Sequence, residues 1–187
     1  IKSNSPFASY FDFFSKTGTD AATPEPPPFS ASGGNVDGLA PGNGYTYHTF
    51  TSPGTLTVTG SGDVEFLIVG GGGGGRDGGG AAGGGGGAGG LTYNPSHPVT
   101  DGDYLIVVGS GSPAKTYDSP APTPVASRVS SAFGSSVDGG GDAGAYDPYA
   151  YGSPGGSGGG GGSYGSPLIG GTATGNGTGN SGGTGNG

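Results

Sequence analysis

Short apolar runs separated by turn residues occupy the middle of this chain, and their patterns are those of β-strands. Two runs alternate apolar with polar residues, two are nearly continuous and the last is weaker; in order they cover residues 45–51, 56–58, 64–69, 104–108 and 127–133. The pairs Pro53-Gly54 and Asp101-Gly102 supply turns between them. Alternation at every second position is typical of a half-buried strand, and a short continuous run of a buried one. We therefore expect an all-β fold with a small β-sandwich-like unit over residues 45–137.

A helical pattern is found only near the N-terminus. Four aromatic residues follow the spacing i, i+3, i+4 and i+7, which puts their rings on one face of a short helix: Phe7, Tyr10, Phe11 and Phe14. Such a short helix is marginal in water by itself, so the segment 1–17 needs a surface to pack against. That surface is either the following domain or another chain. We favour docking on another chain, because aromatic side chains are frequent anchors of protein interfaces.

Residues 18–44 are interpreted as a linker. The run Pro-Glu-Pro-Pro-Pro at 24–28 favours polyproline II, a stiff spacer that rises about 3.1 Å per residue. The glycine, asparagine and aspartate that follow are typical of irregular structure. Together with the aromatic segment, the linker predicts an extended N-terminal arm that holds the β unit away from a surface. An ordered arm lying along the domain is the alternative.

Glycine accounts for 51 of the 187 residues, and most of it lies in two tracts, 70–90 and 138–187. The tracts are either flexible coil or ordered; the first one lies between two strong strand candidates, where a floppy loop of this length is unusual. Glycine can adopt an extended three-fold helix like polyproline II, whose N–H and C=O groups point outwards to neighbouring copies. We expect packed polyglycine II-type helices, with other residues where side chains point out of the lattice. The packing positions are Gly70, Gly71, Gly72, Gly73, Gly74, Gly75, Gly83, Gly84, Gly85, Gly86 and Gly87.

Composition and charge exclude several classes of function. The net charge is −8, with only five Lys and Arg, which argues against binding to nucleic acid or to an anionic membrane surface. Only 29% of the residues are hydrophobic, and no apolar run is long enough to span a bilayer. The chain has no cysteine and does not open with the pattern of a secretory signal. We expect no nucleic-acid partner and no membrane insertion.

Two near matches to nucleotide-binding motifs fail on physical grounds. The run 64–69 followed by glycines resembles a dinucleotide-binding turn, but a glycine tract is a very poor sequence for the helix that this motif requires. Residues 109–116 resemble a phosphate-binding loop, in which Ala114 replaces the second glycine and Pro113 removes an amide donor. We expect no bound cofactor.

The titratable residues are scattered along the chain. His48 lies in the first strand, where we expect a local hydrogen bond, and His97 lies in an expected loop. Neither has the neighbours of a hydrolytic triad or a zinc site. Asp138 and Asp142 flank a run of three glycines and either share a cation or, as we prefer, cap turns and keep the surface soluble. The sequence thus predicts no catalytic residue, no metal site and no enzyme.

A series of motifs follows in order from residue 45 to residue 171. They are Tyr45-Thr46-Tyr47-His48-Thr49-Phe50-Thr51, Gly54-Thr55 to Val58, Phe66-Leu67-Ile68-Val69 with Gly70 to Gly75, Gly87-Ala88-Gly89-Gly90-Leu91, and Tyr104 to Gly109. In this order they resemble the glycine-rich domain of bacteriophage and bacterial surface proteins. Proteins with that domain are similar to tail-fibre, tail-tip and other virion appendage components. The distal tail-fibre adhesins of T-even-like phages also stack polyglycine helices.

The resemblance implies a non-enzymatic structural component on the exterior of a bacteriophage virion. It would be a tail, neck or capsid appendage or a fibre, docked through the aromatic segment onto other virion proteins, and we expect a homo-oligomer. Four tyrosines in glycine- and proline-rich sequence either contact a host cell-surface glycan or protein or cover the edge of the glycine lattice: Tyr146, Tyr149, Tyr151 and Tyr164. The alternatives are therefore a host-receptor-binding adhesin at a fibre tip and a cellular glycine-rich surface protein.

Overall fold

The computed structural model describes residues 26–80, 82–116, 128–145, 150–163, 168–174 and 179–185. These residues form nine β-strands and no α-helix, so the predicted all-β class is confirmed. The strands are β1 (Ser30–Ser32), β2 (Val36–Leu39), β3 (Tyr47–Thr49), β4 (Gly54–Thr59), β5 (Gly62–Val69), β6 (Leu91–Val99), β7 (Gly102–Ile106), β8 (Ser130–Ala132) and β9 (Ser135–Val137). The aromatic segment 1–17 lies outside the described residues.

Antiparallel sheets enclose the core of the β unit. One sheet has the order β1-β4-β7, and a bridge between Val107 and Ser131 links its last strand to the β8–β9 hairpin. The β5–β6 hairpin packs across from it, with Val69 paired to Leu91. Buried aliphatic side chains from these strands form one cluster: Leu56, Val58, Ile68, Val99, Ile106, Ala132 and Val137. None is larger than leucine or isoleucine, and the core is therefore thin.

An aromatic cluster at the β8–β9 turn extends this core. The ring of Phe133 lies 5.2 Å from that of Phe66, 5.4 Å from that of His97 and 5.3 Å from that of Tyr104, measured between centroids. Phe133 has a φ of 52° and Gly134 one of 75°. Two successive residues with positive φ are what a two-residue type I′ turn requires. Packing of the Phe133 ring offsets the strain of a non-glycine residue in this conformation.

The structure corrects the prediction for His97, which belongs to β6 rather than to a loop. The prolines at positions 95 and 98 hid the strand, since proline interrupts a ladder of hydrogen bonds. Here β6 pairs with β5 alone, and an edge strand tolerates proline because one side of it makes no ladder.

Residues 30–39 lie within the range interpreted as a linker, yet they form β1 and β2. In β1, Ser30 pairs with Thr59 of β4, and in β2, Val36 pairs with Thr49 of β3. Their side chains are mostly exposed, so no apolar alternation marks them in the sequence. Backbone pairing to β4 and β3 determines these two strands.

Candidate functional site: the glycine bundle and its two ends

The described glycine-rich residues form extended segments, which we number I to VIII. They are I (70–77), II (82–90), III (109–116), IV (138–145), V (150–156), VI (157–163), VII (168–174) and VIII (179–185). Segments I and IV directly follow β5 and β9, segment II leads into β6, and segment III comes shortly after β7. Together these segments are called the glycine bundle. It therefore extends the β unit along the direction of its strands.

Hydrogen bonds between segments recur at every third residue. Between segments I and II, the amide of Gly70 donates to the carbonyl of Gly90, that of Gly73 to Gly87 and that of Arg76 to Gly84, at 2.8–3.2 Å. Along segments II and IV the amides of Gly84, Gly87 and Gly90 donate to the carbonyls of Gly144, Gly141 and Asp138. A period of three is that of the polyproline II geometry, which has three residues per turn and no internal hydrogen bonds. Each segment is thus stabilised by its neighbours.

The hydrogen-bond partners arrange the segments in two layers. One layer has the order III, I, IV, V, VII, and the other has the order II, VI, VIII. Bonds also cross between layers, as from the amide of Gly144 in segment IV to the carbonyl of Gly160 in segment VI, whereas the amide of Gly160 donates within its own layer to the carbonyl of Gly85 in segment II. Segment IV lies inside this arrangement, and residues 140–145 are all buried. The predicted packing glycines of 70–75 and 83–87 all belong to segments I and II, which lie side by side.

Close approach of backbones explains why glycine is needed at most bundle positions. A Cβ on Gly86 would collide with the carbonyl of Gly73, whereas a Cβ on Gly85 would meet nothing within 4 Å. Ala82 and Ala88 lie three residues to either side of Gly85 and are exposed, so they share its outward direction. In segment VI, Ser157 and Ser163 flank Gly160 in the same way, and the nearest atom to a Cβ there is 3.4 Å away. The side chains of Ala82 and Ala88 therefore point out of the lattice, whereas Ser157 and Ser163 are half-buried and their hydroxyls bond to segments VIII and II.

A buried ion pair joins the β unit to the bundle. Arg128 Nη2 donates to Asp142 Oδ2 at 2.8 Å, and Nη1 donates to the carbonyl of Gly140 at 2.6 Å. The amide of Gly74 donates to Asp142 Oδ1 at 2.6 Å, and the amide of Gly71 to the carbonyl of Arg128 at 2.9 Å. The structure thus corrects the sequence interpretation of Asp142, which neither caps a turn nor shares a cation with Asp138. Its carboxylate neutralises an arginine and holds segments I and IV together.

The described chain enters at the end of the β unit that lies away from the bundle. The ring of Phe29 lies 2.9 Å from the position of a Cβ on Gly62, and the carbonyl of Pro27 lies 2.7 Å from that on Gly60. Gly62 begins β5, and the opposite end of β5 continues into segment I. Residues 27–29 are therefore separated from the bundle by the length of β5.

We call the end of the bundle that lies away from the β unit the distal end. Here Ser163 Oγ donates to the carbonyl of Ala82 at 2.6 Å, and the amide of Gly162 to that of Ala150 at 2.8 Å. Tyr151, one of the predicted host-contact residues, adjoins Ala150 and is 46% exposed. The other three predicted host-contact tyrosines, Tyr146, Tyr149 and Tyr164, lie outside the described residues.

An acid and two tyrosines interact on the outer surface of the β5–β6 hairpin. The hydroxyl of Tyr93 donates to Glu65 Oε1 at 2.7 Å, and this hydrogen bond is the main cause that raises the pKa of Tyr93 above 10.0. The pKa of Tyr45 is also raised. The larger cause is the negative charge of Glu65, and the next is a hydrogen bond to the same carboxylate. Sequence reasoning missed this cluster, since residues 65 and 93 meet through the pairing of β5 with β6 and Tyr45 comes from a distant part of the sequence.

The histidines and acids of the described chain make structural contacts. His48 Nδ1 lies 3.1 Å from the carbonyl oxygen of Gly33 and 3.2 Å from Asp37 Oδ1, so this strand histidine is hydrogen-bonded, but to residues of the preceding strand region rather than to its sequence neighbours. No three His, Asp or Glu side chains of the described residues form a group that could hold a metal ion. Among these residues there is also no helix with the length and apolarity needed to cross a membrane.

Comparison with known proteins identifies one family. No curated protein matches this chain, and no solved structure does. The sequence profile of the glycine-rich domain matches residues 49–187, a range that includes β4 to β9 and the entire bundle. Because this match extends over well more than half of the sequence, the chain belongs to the glycine-rich domain family.

Proposed function

We propose that this chain is a non-enzymatic structural component of a bacteriophage virion. The aromatic segment 1–17 docks on other virion proteins, and the β unit carries the glycine bundle outwards from the particle. The observation that supports this role is the polarity of the molecule. The described chain enters near Gly62, at the start of β5. The distal end lies beyond the length of β5, at about 3.3 Å per residue, and the length of a glycine segment, at about 3.1 Å per residue, which together span roughly 50 Å.

The bundle has the physical properties of a projecting element. Its segments are cross-linked at every third residue by backbone hydrogen bonds within and between the two layers, so bending one segment requires breaking bonds to its neighbours. The side chains on segment II are those of Ala82 and Ala88, which are exposed single methyl groups. The net charge of −8 opposes aggregation of such a surface.

Incorporation into particles tests this function. Purified virions from cells that express the tagged full chain are probed by mass spectrometry and by immunogold electron microscopy. We expect label on the outside of intact particles, and we expect Phe11→Ser to abolish incorporation without lowering the amount of soluble chain. Tyr151→Ser is the matched control, since it removes an aromatic ring at the distal end and leaves the arm intact. Absence of the wild-type chain from virions, or its presence on the cell surface alone, overturns the proposal.

A second candidate function is host-receptor binding at a fibre tip. The observation that favours it is the exposed ring of Tyr151 at the distal end, next to sequence that contains Tyr146 and Tyr149. Aromatic residues among glycine and serine are common in adaptable binding surfaces, and a host glycan or protein is the expected ligand. Adsorption of particles that carry Tyr151→Ser distinguishes the two functions: a loss of adsorption at normal incorporation supports an adhesin, and unchanged adsorption supports a purely structural component.

A further inference from the structure

The outward surface of the β5–β6 hairpin is apolar although it faces solvent. Leu67 is 59% exposed, Val69 52%, Leu91 39% and Tyr93 53%, and Tyr45 adjoins them at 53%. Leu67 pairs with Tyr93 and Val69 with Leu91, so the four side chains form two adjacent cross-strand pairs. We call the surface formed by these five residues and Glu65 the β5–β6 face.

The apolar composition of the β5–β6 face is typical of a surface that packs against protein. An antiparallel sheet with one solvated face normally alternates apolar inward residues with polar outward ones. In β4 that rule holds, because buried Leu56 and Val58 alternate with exposed threonines. In β5 it fails, since Ile68 is buried while Leu67 and Val69 on either side of it are exposed. Apolar residues on both faces of a strand indicate that both faces pack against protein.

The area of the face is sufficient for a modest interface. The exposed fractions of its five apolar and aromatic side chains amount to on the order of 500 Å² per copy, given 150–250 Å² for a whole aromatic side chain. Two such faces in contact bury about 1,000 Å², which is the lower bound for a specific protein interface. A single face of this size on a monomer is already at the upper end of what soluble proteins expose.

Charge and core size favour a second copy as the partner. The carboxylates on this side of β5 are those of Glu65 and the neighbouring Asp63, both at one edge of the apolar residues, and they accept hydrogen bonds from Tyr93 and Ser96. The apolar remainder can thus approach an identical surface without opposing like charges, and it offers nothing to a strongly charged partner. The β unit also has a thin core, whose largest fully buried apolar side chains are Val58 and Val137. Small cores are commonly supplemented by self-association.

We propose that the β5–β6 face is the contact surface between two copies of this chain. An identical patch on both partners is the arrangement found in the commonest class of symmetric oligomers. This inference is independent of the virion role, since a surface protein of another kind could assemble through the same face.

Two leucine-to-lysine variants of the full chain test it. Leu67→Lys places a charge in the centre of the face, whereas Leu105→Lys changes a leucine that is 69% exposed on β7 of the other sheet. Sedimentation-equilibrium ultracentrifugation measures self-association, and circular dichroism confirms that both variants keep the wild-type spectrum. We expect an oligomeric wild type, a dissociation constant raised at least about tenfold by Leu67→Lys and an unchanged constant in Leu105→Lys.

Three results overturn the inference. One is a wild type that stays monomeric at all concentrations. Another is an oligomer that dissociates only in Leu105→Lys, or equally in both variants. The third is a monomer in which Leu67→Lys lowers the melting temperature more than Leu105→Lys does, which assigns the face to a covering segment of the same chain. If Leu67→Lys misfolds, hydrogen exchange of the wild type replaces it: dilution must increase exchange in 91–99 but not in 102–106.

Discussion

Arg128 and Asp142 are 14 positions apart in the sequence and form a 2.8 Å ion pair in which the arginine side chain is 4% exposed and the aspartate 0%. Arg128 immediately precedes the strands β8 and β9, and Asp142 lies in segment IV of the glycine bundle. Each partner also bonds to backbone of the bundle, at Gly140 and Gly74. The pair therefore fixes how the bundle is attached to the β unit.

Loss of this ion pair is expected to destabilise the fold strongly. Asp142→Asn leaves the guanidinium of Arg128 buried without its counter-charge, which costs about 3–5 kcal/mol of unfolding free energy. Urea denaturation measures this change. The control is Asp103→Asn, because Asp103 is exposed and its contact is a single hydrogen bond from Thr57 Oγ1 at 2.7 Å; we expect a loss of at most about 1.5 kcal/mol there. Equal losses in the two variants would contradict the proposed attachment.

Neighbouring glycines of segment II are expected to respond differently to alanine. In Gly86→Ala the new methyl group collides with the carbonyl of Gly73, and moving a backbone that is bonded on several sides costs about 1–3 kcal/mol or more. In Gly85→Ala the methyl group points to open space, so the change is small and stabilises by up to about 1 kcal/mol through the unfolded chain. Thermal unfolding of both variants gives the comparison, and similar melting temperatures would mean that the segment is not packed.

The two tyrosines beside Glu65 are expected to lose their hydroxyl protons at a higher pH than an ordinary tyrosine. Hydrogen bonding and the negative charge of Glu65 disfavour both phenolates and raise the pKa of Tyr93 and Tyr45 above the ordinary 10.0. Because the pKa is higher in the folded state, the associated stabilisation is fully present below pH 10 and is lost as the pH rises through the folded-state values. NMR shifts of the tyrosine rings follow the titration. Glu65→Gln should lower both pKa values towards 10.0, and an unaltered titration would show that Glu65 does not interact with the rings.

Sequence patterns predict those strands in which the buried positions are apolar. Leu56 and Val58 in β4, and the apolar run of β5, are recognisable because a thin core still requires apolar residues on one side. Strands β1 and β2 were missed because backbone pairing stabilises them, and β6 because Pro98 and its neighbours break the pattern. Long-range pairing of this kind leaves little local trace in a sequence.

The sequence predicts that the glycine tracts pack as extended segments, but it does not predict which segments become neighbours or in which register. Lack of a side chain makes extended packing possible, yet it also removes any pattern from which the register of two segments could be inferred. The only traces are residues spaced by multiples of three: Ala82 and Ala88 mark the outward direction of segment II, and Ser157 and Ser163 lie where their hydroxyls reach neighbouring segments. Neither the two layers nor the Arg128–Asp142 pair follows from these spacings, because both depend on which segments become neighbours.

Amide hydrogen exchange along segment II, followed residue by residue by NMR, examines the ordered bundle without any substitution. The amides of Gly84, Gly87 and Gly90 donate to segment IV, whereas those of Gly85 and Ala88 have no acceptor among the described residues. We therefore predict slow exchange at every third amide, with fast exchange at the exposed positions between them. Uniformly fast exchange from residue 82 to residue 90 would mean that the tract is flexible coil, and a projecting two-layer bundle would be excluded.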